Sequence, residues 1–243
     1  MKAEALQTLT ITEAVVAALR SDLLSCRLLP GERLSIKELA KLHNASPGAV
    51  REALSRLSAE GLVMAEAQRG FRAAPISVSD LVQVTDARIL VEAHCVRQSI
   101  ERADDAWESN LVSAMHQLAK VEERAESASS RSDDWSLIHV RFHESLTANC
   151  PNNYLLSMRA SLAALAGRYH QLSIRIDRSQ RDALGEHRAI AEAALSRDAD
   201  LTSALLARHL RRTMEILTSA PELRALSGNG AVPQDIDRLL LNG

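Results

Sequence analysis

Apolar positions along the chain follow the period of a helix almost everywhere, with one short exception. From residue 12, TEAVVAALRSDLLSCRL puts Ala14, Val15, Ala18, Leu19 and Leu23 on one helical stripe, which Pro30-Gly31 ends. SIKELAKLH predicts a second, short helix, opening on a capping-box pattern of Ser35 with Glu38 three residues on. Ser46 is the N-cap of a third helix, with Pro47 at its first position; it runs through GAVREALSRLSAE and stops at Gly61. LVMAEA and GFRAAPI then alternate as two short strands of a hairpin around Gln68-Arg69-Gly70.

SVSDL at 77–81 is a further capping signal, and beyond it only helical periodicity remains. Helices are predicted at about 79–103, 106–127, 133–149, 153–175, 179–196 and 199–218, separated by polar and Ser-rich breaks. The expected fold is mainly α: an N-terminal three-helix unit with a hairpin over 8–76, an all-α bundle of six to seven helices over 77–219, and a tail over 220–243 in which IDRLLL forms a short docking helix.

Composition sharpens this picture. Hydrophobic residues make up 46% of the 243 positions but aromatic ones only 2%, so Ala and Leu fill the core, as packed helices prefer. The net charge of −2 is unremarkable, yet it divides: ten Lys and Arg against eight Asp and Glu up to residue 77, nineteen against twenty-three after it. Three widely spaced cysteines without a CxxC pair read as reduced thiols. No signal-peptide pattern opens the chain and no stretch approaches 18 apolar residues, which predicts a cytoplasmic protein without a membrane span.

A short helix, a tight turn and an Arg-bearing helix is the order that lays a helix in a DNA major groove. Arg51 and Arg56 fall on the third helix and Lys37 on the second, while Arg69 and Arg72 flank the hairpin tip, where a wing meets the adjacent backbone. The same pattern fits a small α-β unit with ordinary surface charges, in which Arg51 pairs with Glu52 or Glu38. PGERLSIKELAKLHNASPGAVREALSRLSAEGLV, followed by QRGFRAAPIS, resembles the winged helix-turn-helix of GntR-family transcription regulators. The match runs through Pro30-Gly31, Leu34, Leu39-Ala40, Val50 to Leu54, Leu57, Glu60 to Val63 and Arg69-Gly70. The resemblance implies that Arg51, assisted by Ser46, Lys37 and the Arg69-Gly70 wing, contacts double-stranded DNA; Gly48 and Arg56 complete the candidate surface. Where many relatives carry Arg-Thr-Pro this chain has Pro47, Gly48 and Ala49, so one base-reading arginine is absent and Arg51 and the wing carry more of the recognition.

Histidines mark a second place of interest. On the 133–149 helix Trp135, Ile138, Phe142 and Leu146 form the expected buried stripe, with His139 and His143 at its edge. His187 shares a stripe with Leu184, Ala191 and Ala194, and His209 shares one with Leu201 and Leu205. Four imidazoles from three helices thus point inward, as satisfied core groups or as ligands of one divalent metal. DARILVE, HVRFHESL and EHRAIAEAALSRDADLTSALLARHL resemble the FCD effector domain of the FadR branch of GntR regulators. That resemblance implies a metal site of one Asp and three His below a pocket for a small carboxylate, with His143, His187 and His209 as the three histidines. His139 stands where the family carries Asp; a four-imidazole shell favours zinc or nickel over manganese or magnesium. The resemblance also places Arg88 at the pocket, with Asn152 and Arg159 as further candidates, whereas spacing alone makes Arg88-Glu92 an intrahelical ion pair.

A metal-dependent bundle enzyme acting on a small carboxylate is the alternative. It needs a general base beside the metal, and Glu144 and Glu186, each adjacent to a histidine, are turned about 100° from the ligand face. The expectation is therefore a homodimeric, effector-controlled repressor on an inverted-repeat operator, and no catalysis.

Overall fold

The computed structural model describes residues 10–124, 133–176 and 181–220, with Leu223. Apart from Ala220 and Leu223, the expected tail lies outside the described residues, as do its IDRLLL helix and most of the Ser-rich break. The chain divides into two compact units at Ile76/Ser77.

In the first unit, α1 (Ile11–Leu24) buries Val15, Val16, Leu19 and Leu23. Its start is a full capping box: Thr10 Oγ1 accepts from the Glu13 N–H, and the Glu13 carboxylate accepts from the Thr10 N–H at 2.7 Å. α2 (Ile36–Leu42) is capped by Ser35, whose Oγ accepts from the Glu38 N–H. Asn44 turns the chain at φ 48°, and α3 (Pro47–Ala59) follows, capped by Ser46 and burying Val50, Ala53, Leu54 and Leu57 against α1. A two-pronged ion pair of Arg20 with Glu60, at 2.6 and 2.9 Å, ties α1 to the end of α3.

The hairpin is β2 (Val63–Glu66) with β3 (Gly70–Ala73), in antiparallel register from Val63↔Ala73 to Glu66↔Gly70. The expected two-stranded hairpin is incomplete. A strand β1 (Arg33–Leu34) pairs with the other edge of β3, giving the order β1-β3-β2. Two residues are too few to show alternation, so the sequence gives no sign of it. Arg72 is also not a free wing contact: its guanidinium donates to Glu66 and to the Gly31 carbonyl, and so braces the sheet.

The second unit packs α4 (Val78–Glu101), α5 (Asp105–Arg124), α6 (Asp133–Leu146), α7 (Asn153–Ile176), α8 (Ala183–Leu195) and α9 (Ala199–Ser219). α4 lies against α7 and α9, and α5 against α6 and α8. Its core joins Trp107, Leu111 and Leu118 of α5 to Phe142 and Leu146 of α6, Ile190 of α8 and Leu206 of α9. Ser77 caps α4, and its backbone N–H donates to the Tyr169 hydroxyl, which donates in turn to Asp80. Cys95 and Cys150 sit together in a smaller cluster with Val91; burial, reinforced by Cys150, pushes the Cys95 thiol up to about 12, which leaves it unreactive.

Two expected stripes shift. On α6 the buried set is Trp135, His139, Phe142, His143 and Leu146, while Ile138 is only half-buried. On α9, Leu201 is exposed and Leu205 half-buried; Thr202, Leu206, His209 and Leu210 face inward.

Candidate functional site

Helix periodicity builds the first site. His139 and His143 are one turn apart on α6, His187 is in the first turns of α8, and His209 is midway along α9. All four are buried, at 7%, 3%, 1% and 5% exposure, and they are core groups rather than edge groups. Each offers a ligand atom, and these atoms lie within 4.8 Å of one another. His139 Nε2 and His143 Nε2 are 3.2 Å apart. An ion about 2.1 Å from each nitrogen needs N–N separations of about 3.4 Å for a tetrahedron, and about 4.2 Å across an octahedron. Small side-chain movements meet either. Buried His143 Nδ1 makes no hydrogen bond among the described residues, so no protein partner satisfies this imidazole fully. The residues fit a metal.

Electrostatics agree. Burial, then His209 and His187, then Arg88 and Arg159, hold His143 well below the usual imidazole range. His209 is lowered too, chiefly by burial, although Glu186 pulls the other way. Neutral imidazoles bind metal without competing protons. Trp135 stacks on His139 at 4.8 Å between ring centroids, and Phe142 meets His143 and His187 edge-on. These rings fix the imidazole planes.

Glu186 corrects the sequence reading. Although it is turned from the His187 face of α8, it reaches across to α9 and takes a 2.8 Å hydrogen bond with His209 Nδ1. Arg181 grips the same carboxylate at 2.6 and 2.9 Å. Burial raises Glu186, but the His209 and Arg181 hydrogen bonds outweigh it and hold the carboxyl down at about 2. The start of α8 is tight: Asp182 caps it through the Gly185 N–H, and a Cβ on Gly185 would lie 2.2 Å from the Asp182 carboxylate. Sequence reasoning missed Arg181 altogether, because a partner five residues from Glu186 and 28 from His209 leaves no periodic signal.

A cavity of about 70 Å³ beside the histidines is lined by Arg88, Trp135, His139, His143 and Arg159. A smaller space of about 30 Å³ reaches from Arg88, His139 and His143 to His209 and Tyr169. Arg88 combines the two readings its spacing offers: its Nε bonds Glu92 at 2.5 Å, and it still lines both cavities. Arg159 is buried at 4% exposure, and its Nε has no hydrogen-bond partner among the described residues. Asn152 is elsewhere. It is exposed, lines neither cavity and accepts from the Tyr154 and Leu155 N–H groups as the cap of α7. A larger open groove of about 480 Å³ between α5 and α8 contains none of the four clustered histidines.

The second site is the exposed face of α3. Arg51, Glu52, Ser55 and Arg56 face outward, opposite its buried residues. Arg51 pairs with neither Glu52 nor Glu38; Arg56 takes Glu52 instead, at 2.5 Å on the surface, a pairing readily exchanged for another anion. Ser46 spends its Oγ lone pair on the Ala49 N–H, and Gly48 is exposed beside it at the helix start. Lys37 is exposed on α2. Arg69 and Gly70 are exposed at the hairpin tip, where Gly70 holds a φ of 94° that other residues resist.

Residues 83–212 match the FCD domain, and residues 11–72 match the bacterial regulatory proteins of the gntR family. The chain is 33% identical over 216 residues to an uncharacterized HTH-type transcriptional regulator, BphR of Paraburkholderia xenovorans (strain LB400), covering 88% of each. It is 34% identical over 209 residues to the HTH-type transcriptional repressor GlaR of Escherichia coli (strain K12), covering 83% of this chain and 93% of that one. Among solved structures, E. coli McbR/YncC shares the fold with a TM-score of 0.72 at 20% identity, over 87% of this chain and 98% of that chain.

Proposed function

The chain belongs to the GntR family of DNA-binding transcription regulators and carries an FCD domain, and from that premise we propose that it is a cytoplasmic, homodimeric repressor whose hold on an inverted-repeat operator is set by a small carboxylate bound beside a metal in the helical unit. Its relatives are transcription regulators, so the enzyme alternative falls away.

The observation that carries the effector reading is Arg159. A buried guanidinium whose Nε lacks a partner is costly, and it shares its cavity with Arg88, His139 and His143. An anion relieves that cost through charge-assisted hydrogen bonds. His139, His143, His187 and His209 would hold the metal, with zinc or nickel suited to an all-nitrogen shell. When bound, the ion adds positive charge that attracts a carboxylate oxygen. Arg88 and Arg159 then orient the carboxylate. The carboxylate must bind the DNA-competent and DNA-incompetent arrangements with different strength, since equal affinity shifts nothing. In the protein with zinc added, Arg159→Met is expected to weaken the effect of small mono- and dicarboxylates on operator release about 10–100-fold while leaving effector-free operator affinity unchanged. A titration followed by fluorescence anisotropy reads both quantities. An undiminished response removes Arg159 from the pocket.

On the DNA side, two copies of α3 related by a two-fold suit an inverted repeat. Arg51 is exposed on its outer face and its guanidinium makes no ion pair among the described residues; Lys37, Gly48, Ser46, Arg56 and the Arg69-Gly70 wing back it. The relative GlaR is named a repressor, which supports that direction of control. Arg51→Ala is expected to cost about 1–3 kcal/mol of operator binding and to relax discrimination at one base position, whereas Lys37→Ala weakens all sequences alike. Affinities for the operator and for single-base variants separate the two, and an unchanged profile for Arg51→Ala takes it off the base edges.

A further inference from the structure

We propose that Glu186 and Arg181 are positioning residues of the histidine cluster: Glu186 takes the proton-bearing Nδ1 of His209 and so presents Nε2 to a metal, while Arg181 locks Glu186 in place. This rests on the metal reading above.

The hydrogen bonding leaves little choice of tautomer. His209 Nδ1 is 2.8 Å from Glu186 Oε2. That oxygen already accepts from Arg181 Nη2 at 2.6 Å, and the other carboxylate oxygen accepts from Arg181 Nε at 2.9 Å. A bare Nδ1 would set two acceptors against each other at 2.8 Å, so Nδ1 must carry the hydrogen and donate. Arg181 Nη2 also lies 3.2 Å from Nδ1, but the same nitrogen is 3.2 Å from the His209 carbonyl oxygen, an acceptor it satisfies without competing for the imidazole. Arg181 is fixed on its third edge by Thr213, to whose Oγ1 it donates at 2.9 Å. Nε2 is then the His209 nitrogen left for an ion.

The arrangement also supplies charge. Four imidazoles bring no negative charge to a dication, and His139 occupies one of the four places. Glu186 stands one hydrogen bond behind the shell, with a side-chain exposure of 24%, and its charge reaches the site through His209. His143 lacks such an anchor, since its Nδ1 is unpartnered among the described residues. Carboxylate backing makes a ligating imidazole more basic and fixes its plane. A purely structural Arg181–Glu186 pair at the start of α8 would do neither.

The test uses the full chain, wild type beside E186Q and R181M, with zinc as the probe. Zinc affinity is measured by competition with a chromophoric chelator, and the His209 tautomer by long-range 15N–1H spectra of the metal-free proteins. The expected result is Nδ1–H His209 in the wild type, a shifted His209 signature in E186Q, and zinc affinity about 10–100-fold weaker. R181M shifts both in the same direction by less, and it carries the same readouts should E186Q not fold. Wild-type zinc binding with equal affinity and an unmoved His209 signature in both variants overturns the inference and leaves the metal reading standing. A folded wild type that takes up no zinc overturns both.

Discussion

Replacing His143 by alanine is expected to abolish stoichiometric metal binding. His143 is close to all three of the others: its Nε2 is 3.2 Å from His139 Nε2, and its ring centroid lies 5.6 Å from that of His187 and 5.4 Å from that of His209. Tight zinc sites with four ligands are worth about 10–16 kcal/mol, so one ligand carries roughly a quarter, or about 10²–10³ in affinity. The effect is visible as stability. A ligand present at about a thousand times its Kd stabilises the native state by about 4 kcal/mol. Zinc should therefore raise the unfolding temperature of the wild type several times more than that of His143→Ala, for which the same zinc concentration contributes only about 0.4–1.4 kcal/mol. Elemental analysis checks the same point, as about one ion per wild-type chain and none in the variant. His139→Ala separates a three-histidine from a four-histidine shell. An ion retained by His143→Ala at wild-type affinity sinks the assignment.

Leu54→Ala is expected to cost about 2–5 kcal/mol of the stability of the N-terminal unit, the largest stability loss foreseen for a side chain behind the DNA-facing surface. Leu54 is fully buried on α3, in the unit whose core also holds Val15 and Leu19 of α1. A unit of this size has a stability on the order of 5 kcal/mol. Removing about 2–5 kcal/mol leaves between about half and nearly all of the unit folded, so apparent operator affinity falls by about two-fold at most while the unfolding midpoint falls far more. Ser55→Ala, one residue on and exposed, is the control and should change stability by less than about 0.5 kcal/mol. Denaturation followed by circular dichroism should show the N-terminal transition moving while zinc uptake by the helical unit persists. A cost under about 1 kcal/mol would show that this core does not hold α3.

Local signals were legible and signals between helices were not. Ser35, Ser46 and Ser77 announce three helix starts because a cap is a contact over three residues. Thr10 with Glu13 offers the same pattern in full and is readable in retrospect. The α6 stripe was misplaced by one position because a hydrophobic reading favours Ile138 over His139. Yet His139 is the buried one, since Trp135 stacks on it and three other imidazoles surround it. Spacing found the four histidines, but their burial follows from packing. Glu186 was set aside on the geometry of its own helix, and that geometry was correct; its partner lies on α9. Asn152 stands among the pocket candidates by sequence, but its place just before α7 is where a helix cap belongs, and it caps that helix.

The complete burial of the four imidazoles also bears on time. An ion held there would exchange through the narrow cavities that His139, His143 and His209 line, or by a local opening of α6, α8 and α9, and such openings in a packed core are slow and rare. A resident held there outlasts many cycles of operator binding and release. The cavity that Arg88 and Arg159 line with His139 and His143 would admit a carboxylate without parting those helices, and so on a faster clock. On the proposed reading the regulator would follow the rise and fall of a carboxylate on a faster clock than the exchange of its metal.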